Sequence, residues 1–288
     1  MSAVATGSST ATVRRELRGQ LLRSWTFLAG LAIFVFWTVC AITPGLIATH
    51  DPSLQTPKDK WIRPFFNEGH LLGTDRFGRD VFSRAVHGAR DIMLIAPAAA
   101  VLGTVIGVVL GLLMGYFRGP LDDVLSRVIE TLMSLPLILV SLLALTALDA
   151  DTPTIILLIG VLFGPIIART VRSAVLAERN LDYVRAAELR GERSAYVMFV
   201  EILPNVMGPV VVEFTVRLGY AVFTLAGLSF IGFGTDPGSP DWGRTIFEGR
   251  SDLLNNVWWP SVVPALALAS LVVAINLMAD AIQGLIDR

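Results

Sequence analysis

Lysine is almost missing from this chain of 288 residues: Lys58 and Lys60 are the only two, and no glycine lies close to either. A GxxxxGK loop followed by Ser or Thr, which cradles nucleotide phosphates with backbone N–H groups and a lysine, is therefore absent, and the chain is not an ATPase of that kind. Cysteine is reduced to Cys40 alone. No internal disulfide can form, and a lone cysteine in an apolar run reads as core filler. The three histidines, His50, His70 and His87, fall in one stretch at spacings that fit no zinc motif. They read as surface or capping residues, so no metal site and no catalytic group is expected. Charge is scarce within the apolar runs, where only Glu213 and Arg217 stand in mid-run. A chain of ionisable groups for proton or ion relay is excluded by that shortage.

What the chain has in abundance is apolar sequence. Hydrophobic residues make up 53% and charged residues 16%, and the mean hydropathy is +0.64. Those values exclude an ordinary soluble domain. A span needs about 20 mostly apolar residues, and six runs qualify: 25–48, 92–117, 128–148, 154–176, 206–232 and 257–280. The expected fold is an all-α polytopic membrane protein with six transmembrane helices. The first run is too long for a signal peptide and lacks a small-residue cleavage site, so it reads as a retained anchor. Gly103, Gly107, Gly111 and Gly115 recur every fourth position in the second run. Small residues at that spacing let another backbone approach closely in lipid, so this helix is expected inside a bundle. Pro97, Pro136, Pro165 and Pro264 are expected kinks, serving either bundle irregularity or a moving gate.

Arg14, Arg15, Arg18 and Arg23 precede the first run and place the amino terminus in the cytoplasm. With an even number of spans the carboxyl terminus lies there too. Arg169, Arg172, Arg179, Arg185, Arg190 and Arg193 mark an inside loop, whereas the 149–153 turn holds Asp149 and Asp151 and no basic residue. The external loop 50–91 carries Lys58, Lys60, Arg63, Arg76, Arg79, Arg84 and Arg90 against that bias; long loops obey it less strictly.

Residues 182–205, DYVRAAELRGERSAYVMFVEILPN, are the most informative stretch. Tyr183, Val184 and Ala187 fall on one helical face and Arg185, Glu188 and Glu192 on others, which reads as a short amphipathic helix between two membrane runs. Gly191 breaks it, and Pro204 with Asn205 is expected to start the next helix. A loop that only reversed the chain would not need this design, so the segment reads as a docking element for a cytoplasmic partner. In HLLGTDRFGRDVFSRAVHGAR (70–90), Thr74 or Asp75 is expected to cap an amphipathic helix. Trp258 and Trp259 read as interfacial anchors. Pro237, Pro240 and Trp242 read as a compact external loop.

Ala186, Ala187, Gly191 and the Leu203-Pro204-Asn205 ending resemble the coupling motif of ABC importer membrane subunits of the dipeptide and oligopeptide (peptide/nickel) family, C-type. The 70–90 block, GLSFIGFGTDPGSPDWG (227–243), and Asn276-Leu277 with Asp280 and Asp287 extend the similarity in family order. The resemblance implies a type I importer permease fold of one peripheral helix and a five-helix core. In that scheme 1–24 is a cytoplasmic arm, 25–49 the first transmembrane helix, 50–91 an external loop with an amphipathic helix, and 92–288 the core. Residues 182–203 form the coupling helix, with Asp182, Tyr183, Arg185, Ala186, Ala187, Arg190, Gly191, Glu201 and Pro204 as the ATPase-coupling residues. Gly73, Thr74, Asp75, Gly78, Arg79 and Asp80 are structural residues of the outer face. Implied partners are a homologous second permease, two cytoplasmic ATPases or one fused, an extracytoplasmic solute-binding protein and the bilayer of a bacterial or archaeal cell membrane; no nucleic acid is expected. ATP and magnesium would be bound by the ATPases and no cofactor by this chain.

Several positions depart from the family pattern. Arg185 replaces a glutamate, Arg190 a leucine, Glu201 a histidine, and Leu225 a glutamate. A more charged docking surface and a dedicated ATPase are the expected consequences. Glu213 and Arg217, four apart with the acid first, form either a self-satisfied pair or part of the translocation path. The alternative to an ATP-driven importer is an ATP-independent secondary transporter or channel gated around that pair.

Overall fold

Capping and proline chemistry decide where the helices begin and end. The computed structural model describes residues 21, 23–65, 69–148, 150–233 and 238–286. Arg14, Arg15, Arg18, Asp149, Pro237 and Asp287 lie outside the described residues. Helix α1 (Trp25–Ile42) starts where the Ser24 hydroxyl accepts from Phe27 N–H, and it stops short of the expected 48 because Pro44 follows. Helix α2 (Val81–Phe117) is followed by α3 (Gly119–Met133), α4 (Leu137–Ala147), α5 (Thr152–Glu178), α6 (Asp182–Leu189), α7 (Met207–Ile231), α8 (Trp242–Gly249) and α9 (Trp259–Ile286). No strand occurs among the described residues.

Five of these helices, α1, α2, α5, α7 and α9, are long and apolar enough to cross a membrane. The sixth expected span, 128–148, is not one helix. The α3–α4 pair bends by 85° and makes a sixth crossing only if it is counted as a broken span. Pro136 lies at the break: it has no N–H to give, and it pushes Leu135 away from helical geometry. Pro97, Pro165 and Pro264 stand inside uninterrupted helices.

Helix α2 begins eleven residues before the expected start at 92. The amphipathic stretch 81–91 is thus not a separate helix in the 50–91 loop; it is the first three turns of α2 itself. Nor do Thr74 and Asp75 cap it. The Asp80 carboxylate does, accepting from Ser83 N–H at 2.8 Å. At about 1.5 Å per residue, the 37 residues of α2 reach about 55 Å, well beyond a hydrocarbon core of about 30 Å.

The glycine period finds its partner in α5. A Cβ at Gly107 would meet Ile167 Cβ at 2.5 Å, and one at Gly111 would meet Val171 Cβ at 2.6 Å; Gly160 and Gly164 of α5 return the arrangement against Leu102 and Ile106. The two helices therefore pack backbone to backbone along most of their length. Helix α1 is peripheral, with 17% of its apolar window buried against 33–56% for the other four. It leans on α9, where Trp37 Nε1–H donates to Ser270 Oγ (2.9 Å). Leu157, Phe223, Leu266 and Val273 remain exposed on the outside of the bundle, as lipid-facing side chains do.

Candidate functional site

Segment 182–203 folds as two helical pieces joined by a glycine turn. Asp182 stands in the first turn of α6, where a carboxylate opposes the positive helix end. Val184 and Ala187 are fully buried and anchor α6 to the bundle together with Val197, Met198 and Ile202 of the second piece. That second piece, Val197–Ile202, is a π-helix after a single turn at Ser194–Tyr196. Gly191 ends the first piece at φ +76° with open space around its α-carbon, so glycine is required there by backbone conformation and not by crowding.

Side chains stitch the two pieces into one body. The Tyr183 hydroxyl donates to Glu178 Oε2 (2.7 Å) at the end of α5, and Asn205 Nδ2 donates to both the Tyr183 oxygen (3.2 Å) and the Glu201 carbonyl (2.8 Å). Burial first, then the Glu178 carboxylate, pushes the Tyr183 phenol up to about 12, so it stays a neutral donor. Arg190 Nη2 reaches Glu201 Oε1 at 3.2 Å. Below, Arg118 donates to Asn180 Oδ1 (3.1 Å) and the Arg179 guanidinium lies 5.1 Å from the Tyr116 ring. The end of α5, from which the segment continues, is thereby tied to the far end of α2.

Two sequence expectations change here. Ala187 faces inward and cannot touch a partner; Ala186 is the small residue on the outer face. Pro204 lies in a turn before α7, which starts at Met207. A residue that sequence reasoning passed over is Leu189, 89% exposed at the tip. The available signal was that Leu189 is out of phase with the inward Val184 and Ala187, which leaves a large apolar side chain on a polar face. Tyr196, Phe199 and Val200 are exposed on the second piece.

The Glu213–Arg217 pair sits in the first half of α7. Glu213 Oε2 accepts from Arg217 Nε at 3.0 Å, Glu213 Oε1 accepts from Thr170 Oγ1 at 2.7 Å, and the Arg217 guanidinium lies 5.0 Å from the Tyr220 ring. Each charge is answered within the protein. Sequence reasoning placed Arg172 in a loop; the structure has it on α5, in a two-pronged ion pair with Asp122 of α3 (2.6 Å for each contact). Beside that pair an open cleft of about 510 Å³ is lined by Ser126, Glu130, Arg169, Thr170 and Ser173.

At the opposite end of α2, residues 73–80 form a buried knot. Gly73 and Gly78 take positive φ, and Asp75 Oδ1 accepts from Phe77 N–H and Arg79 N–H. Arg79 binds Asp75 Oδ2 through Nε and Glu248 Oε2 of α8 through Nη2, both at 2.6 Å. Burial alone would raise the Glu248 carboxyl, yet Arg79 above all holds it below its ordinary value. Arg84, 1% exposed, donates to the carbonyls of Pro52 (3.2 Å), Gly238 (3.0 Å) and Ser239 (2.6 Å) and to Thr245 Oγ1 (3.0 Å).

Trp242 and Trp259 belong to this knot and not to a lipid interface or a loop. Trp242 opens α8, is fully buried, and donates to the Ala85 carbonyl (2.8 Å). Trp259 donates to the Thr74 carbonyl (2.8 Å), and its neighbour Trp258 is exposed. Of the histidines, His87 rests its Nδ1 on the Ser83 carbonyl (2.9 Å), while the rings of His50 and His70 stack with centroids 4.5 Å apart.

A bundle of this kind, with a stitched helical protrusion at one end and a packed ion-pair knot at the other, has known relatives. Residues 107–288 match the family described as "Binding-protein-dependent transport system inner membrane component". The chain belongs to that family. Among curated proteins, this inner-membrane component is 34% identical over 264 residues to the di/tripeptide transport system permease protein DppC of Pseudomonas aeruginosa (strain UCBPP-PA14), covering 90% of this chain and 87% of the relative. It is 35% identical to the dipeptide transport system permease protein DppC of Escherichia coli (strain K12), over 90% and 88% of the two chains. The corresponding protein of Bacillus subtilis (strain 168) is 32% identical over 90% and 81%. This chain is therefore a multi-pass permease subunit of the inner membrane, and its all-helical architecture is the importer permease fold that the sequence resemblance implies.

Proposed function

We propose that this permease imports peptides or closely related small solutes by alternating access with a homologous second permease, powered by two cytoplasmic ATPases that grip residues 182–203. The carrying observation is the exposed outer face of that segment: Leu189 projects from a body bolted by Tyr183 to the end of α5, next to which Arg118 holds Asn180 to the end of α2. A push on such a body moves whole helices. The sequence holds no Walker-type loop of its own, so the push comes from another polypeptide. The peptide class is supported by the printed activities of the relatives. Both termini lie in the cytoplasm in this reading, an extracytoplasmic binding protein delivers the solute, and the cleft lined by Arg169 and Thr170 is the inner part of the solute path. The ion-gated alternative has less support, since Glu213 and Arg217 answer each other's charge.

Co-purification in mild detergent tests the proposal. An ATP-hydrolysing pair and a second permease should accompany the wild-type chain, and Leu189→Glu should release the ATPases while the two permeases stay together. A lone homo-oligomer, or ATPases retained at wild-type level by the variant, would overturn it.

A further inference from the structure

His50, His70 and Asp80 meet in space although twenty and ten residues separate them in sequence. One nitrogen of each imidazole and one Asp80 carboxylate oxygen lie within 4.8 Å of one another. His70 Nδ1 is 2.9 Å from Asp80 Oδ1, and His50 Nδ1 is 4.0 Å from Asp80 Oδ2. We propose that these three side chains form a site for one divalent transition-metal ion of the zinc class, at the end of the bundle away from segment 182–203.

The donor set suits that chemistry. Two imidazoles and a carboxylate are a recurrent three-ligand zinc set that leaves a fourth position for water. Bonds of about 2.0–2.2 Å at tetrahedral angles put ligand atoms about 3.3 Å apart, so the widest separation must close by up to about 1.5 Å while the His70–Asp80 pair opens slightly. His50 can supply that movement, because its side chain is 34% exposed, against 13% for His70 and 1% for Asp80. The carboxylate is already oriented from behind: Asp80 Oδ2 accepts from Ser83 N–H at 2.8 Å, leaving Oδ1 for the metal. Such outer contacts hold a ligand in place. The His50 main-chain N–H donates to Ser83 Oγ (3.0 Å), which pins the segment that carries the second imidazole.

A plain His–Asp hydrogen bond accounts for only part of this. It satisfies His70, but His50 lies 4.0 Å from the carboxylate, with its Nδ1 beside Thr49 Oγ1 (3.0 Å) and its ring stacked on its neighbour's at an interplanar angle of 28°. The stacking holds the two imidazoles side by side, on the same side of the chain as the Asp80 carboxylate. A single cation could accept a lone pair from each ring and balance the Asp80 carboxylate. Bound there, it would staple the chain leaving α1 to the first turn of α2 and close the intervening loop.

The test uses the permease purified without a polyhistidine tag, together with whatever subunits accompany it, stripped by chelator and titrated with Co²⁺ and then Zn²⁺. Wild type should show the visible absorption of cobalt with imidazole ligands at one equivalent per chain beyond that of a His50→Gln/His70→Gln variant. Its Tm should rise by about 5 °C with excess Zn²⁺. Asp80→Asn, which keeps a helix-capping side chain, should weaken Zn²⁺ binding more than about 100-fold, and His87→Gln should leave it unchanged. The absence of a difference spectrum between wild type and the double variant, or an equal Tm response in both, overturns the proposal.

Discussion

Arg190 and Glu201 form an ion pair, Nη2 to Oε1 at 3.2 Å, across the glycine turn that divides segment 182–203. Both depart from the family pattern that this segment resembles, and each answers the other. The extra charge expected on the docking surface is thus partly spent inside it, as a brace between two helical pieces. A dedicated ATPase is no longer required by these two residues.

Replacing one member of that pair should disturb coupling more than replacing both. Arg190→Leu leaves Glu201 without its ion-pair partner, Glu201→His leaves Arg190 with Glu192 (3.7 Å) alone, and in either case the brace is lost and solute-stimulated ATPase activity of the reconstituted transporter should fall. The double variant should recover part of it. Because the pair is surface-exposed, stability should change by less than about 1 kcal/mol in all three. Equal loss in single and double variants, by a double-mutant cycle on ATPase rate, would count against the brace.

Ala186 and Ala187 should behave as opposites. Ala187 is fully buried, so Ala187→Leu overpacks the joint between segment and bundle and should cost about 1–3 kcal/mol. Ala186→Leu, on the exposed face, should leave thermal unfolding unchanged while weakening retention of the ATPases. A Tm drop in the Ala186 variant, with none in Ala187→Leu, would reverse this assignment.

Gly107→Val places a side chain where Ile167 Cβ lies 2.5 Å from the ideal Cβ position. Helices α2 and α5 must then separate, with a stability loss of at least about 1–3 kcal/mol. A variant that unfolds in detergent at the wild-type temperature would contradict the backbone-to-backbone packing.

Burial raises the Asp241 carboxyl from 3.8 to about 6, while the Arg244 main-chain N–H pulls the other way. Its folded pKa lies above its unfolded value, so its contribution to stability is complete below about pH 3.8 and is lost as pH rises through about 6. A shift of about 2 units corresponds to on the order of 3 kcal/mol. Asp241→Asn keeps a cap for α8 without the charge. Its Tm relative to wild type should therefore climb between about pH 4 and pH 7.5. A difference that stays flat over that range would refute the assignment.

Much of this protein was legible in one dimension because the relevant signals are local. Apolar runs, the four-residue glycine period and the inward phase of Val184 and Ala187 each follow from helix geometry over a few turns. Element boundaries were less legible. Amphipathic sequence at 81–91 looks the same whether it lies on a membrane or begins a long span, and only the unbroken run of helix from Val81 to Phe117 distinguishes the two. Trp259 reads like an interfacial anchor beside the exposed Trp258; the carbonyl of Thr74 that holds its indole is 185 residues away.

Composition and periodicity by themselves made this chain a bundle of membrane helices with a polar, glycine-broken protrusion and no nucleotide site, since those properties depend on which residues stand within a few turns of each other. Only the tertiary structure decided that Arg190 meets Glu201, that Arg79 and Arg84 are locked beneath α8, and that two histidines converge on Asp80. Each of those is a matter of ångströms between distant segments, set by how closely glycine-lined helices approach and by where a buried charge can find its partner.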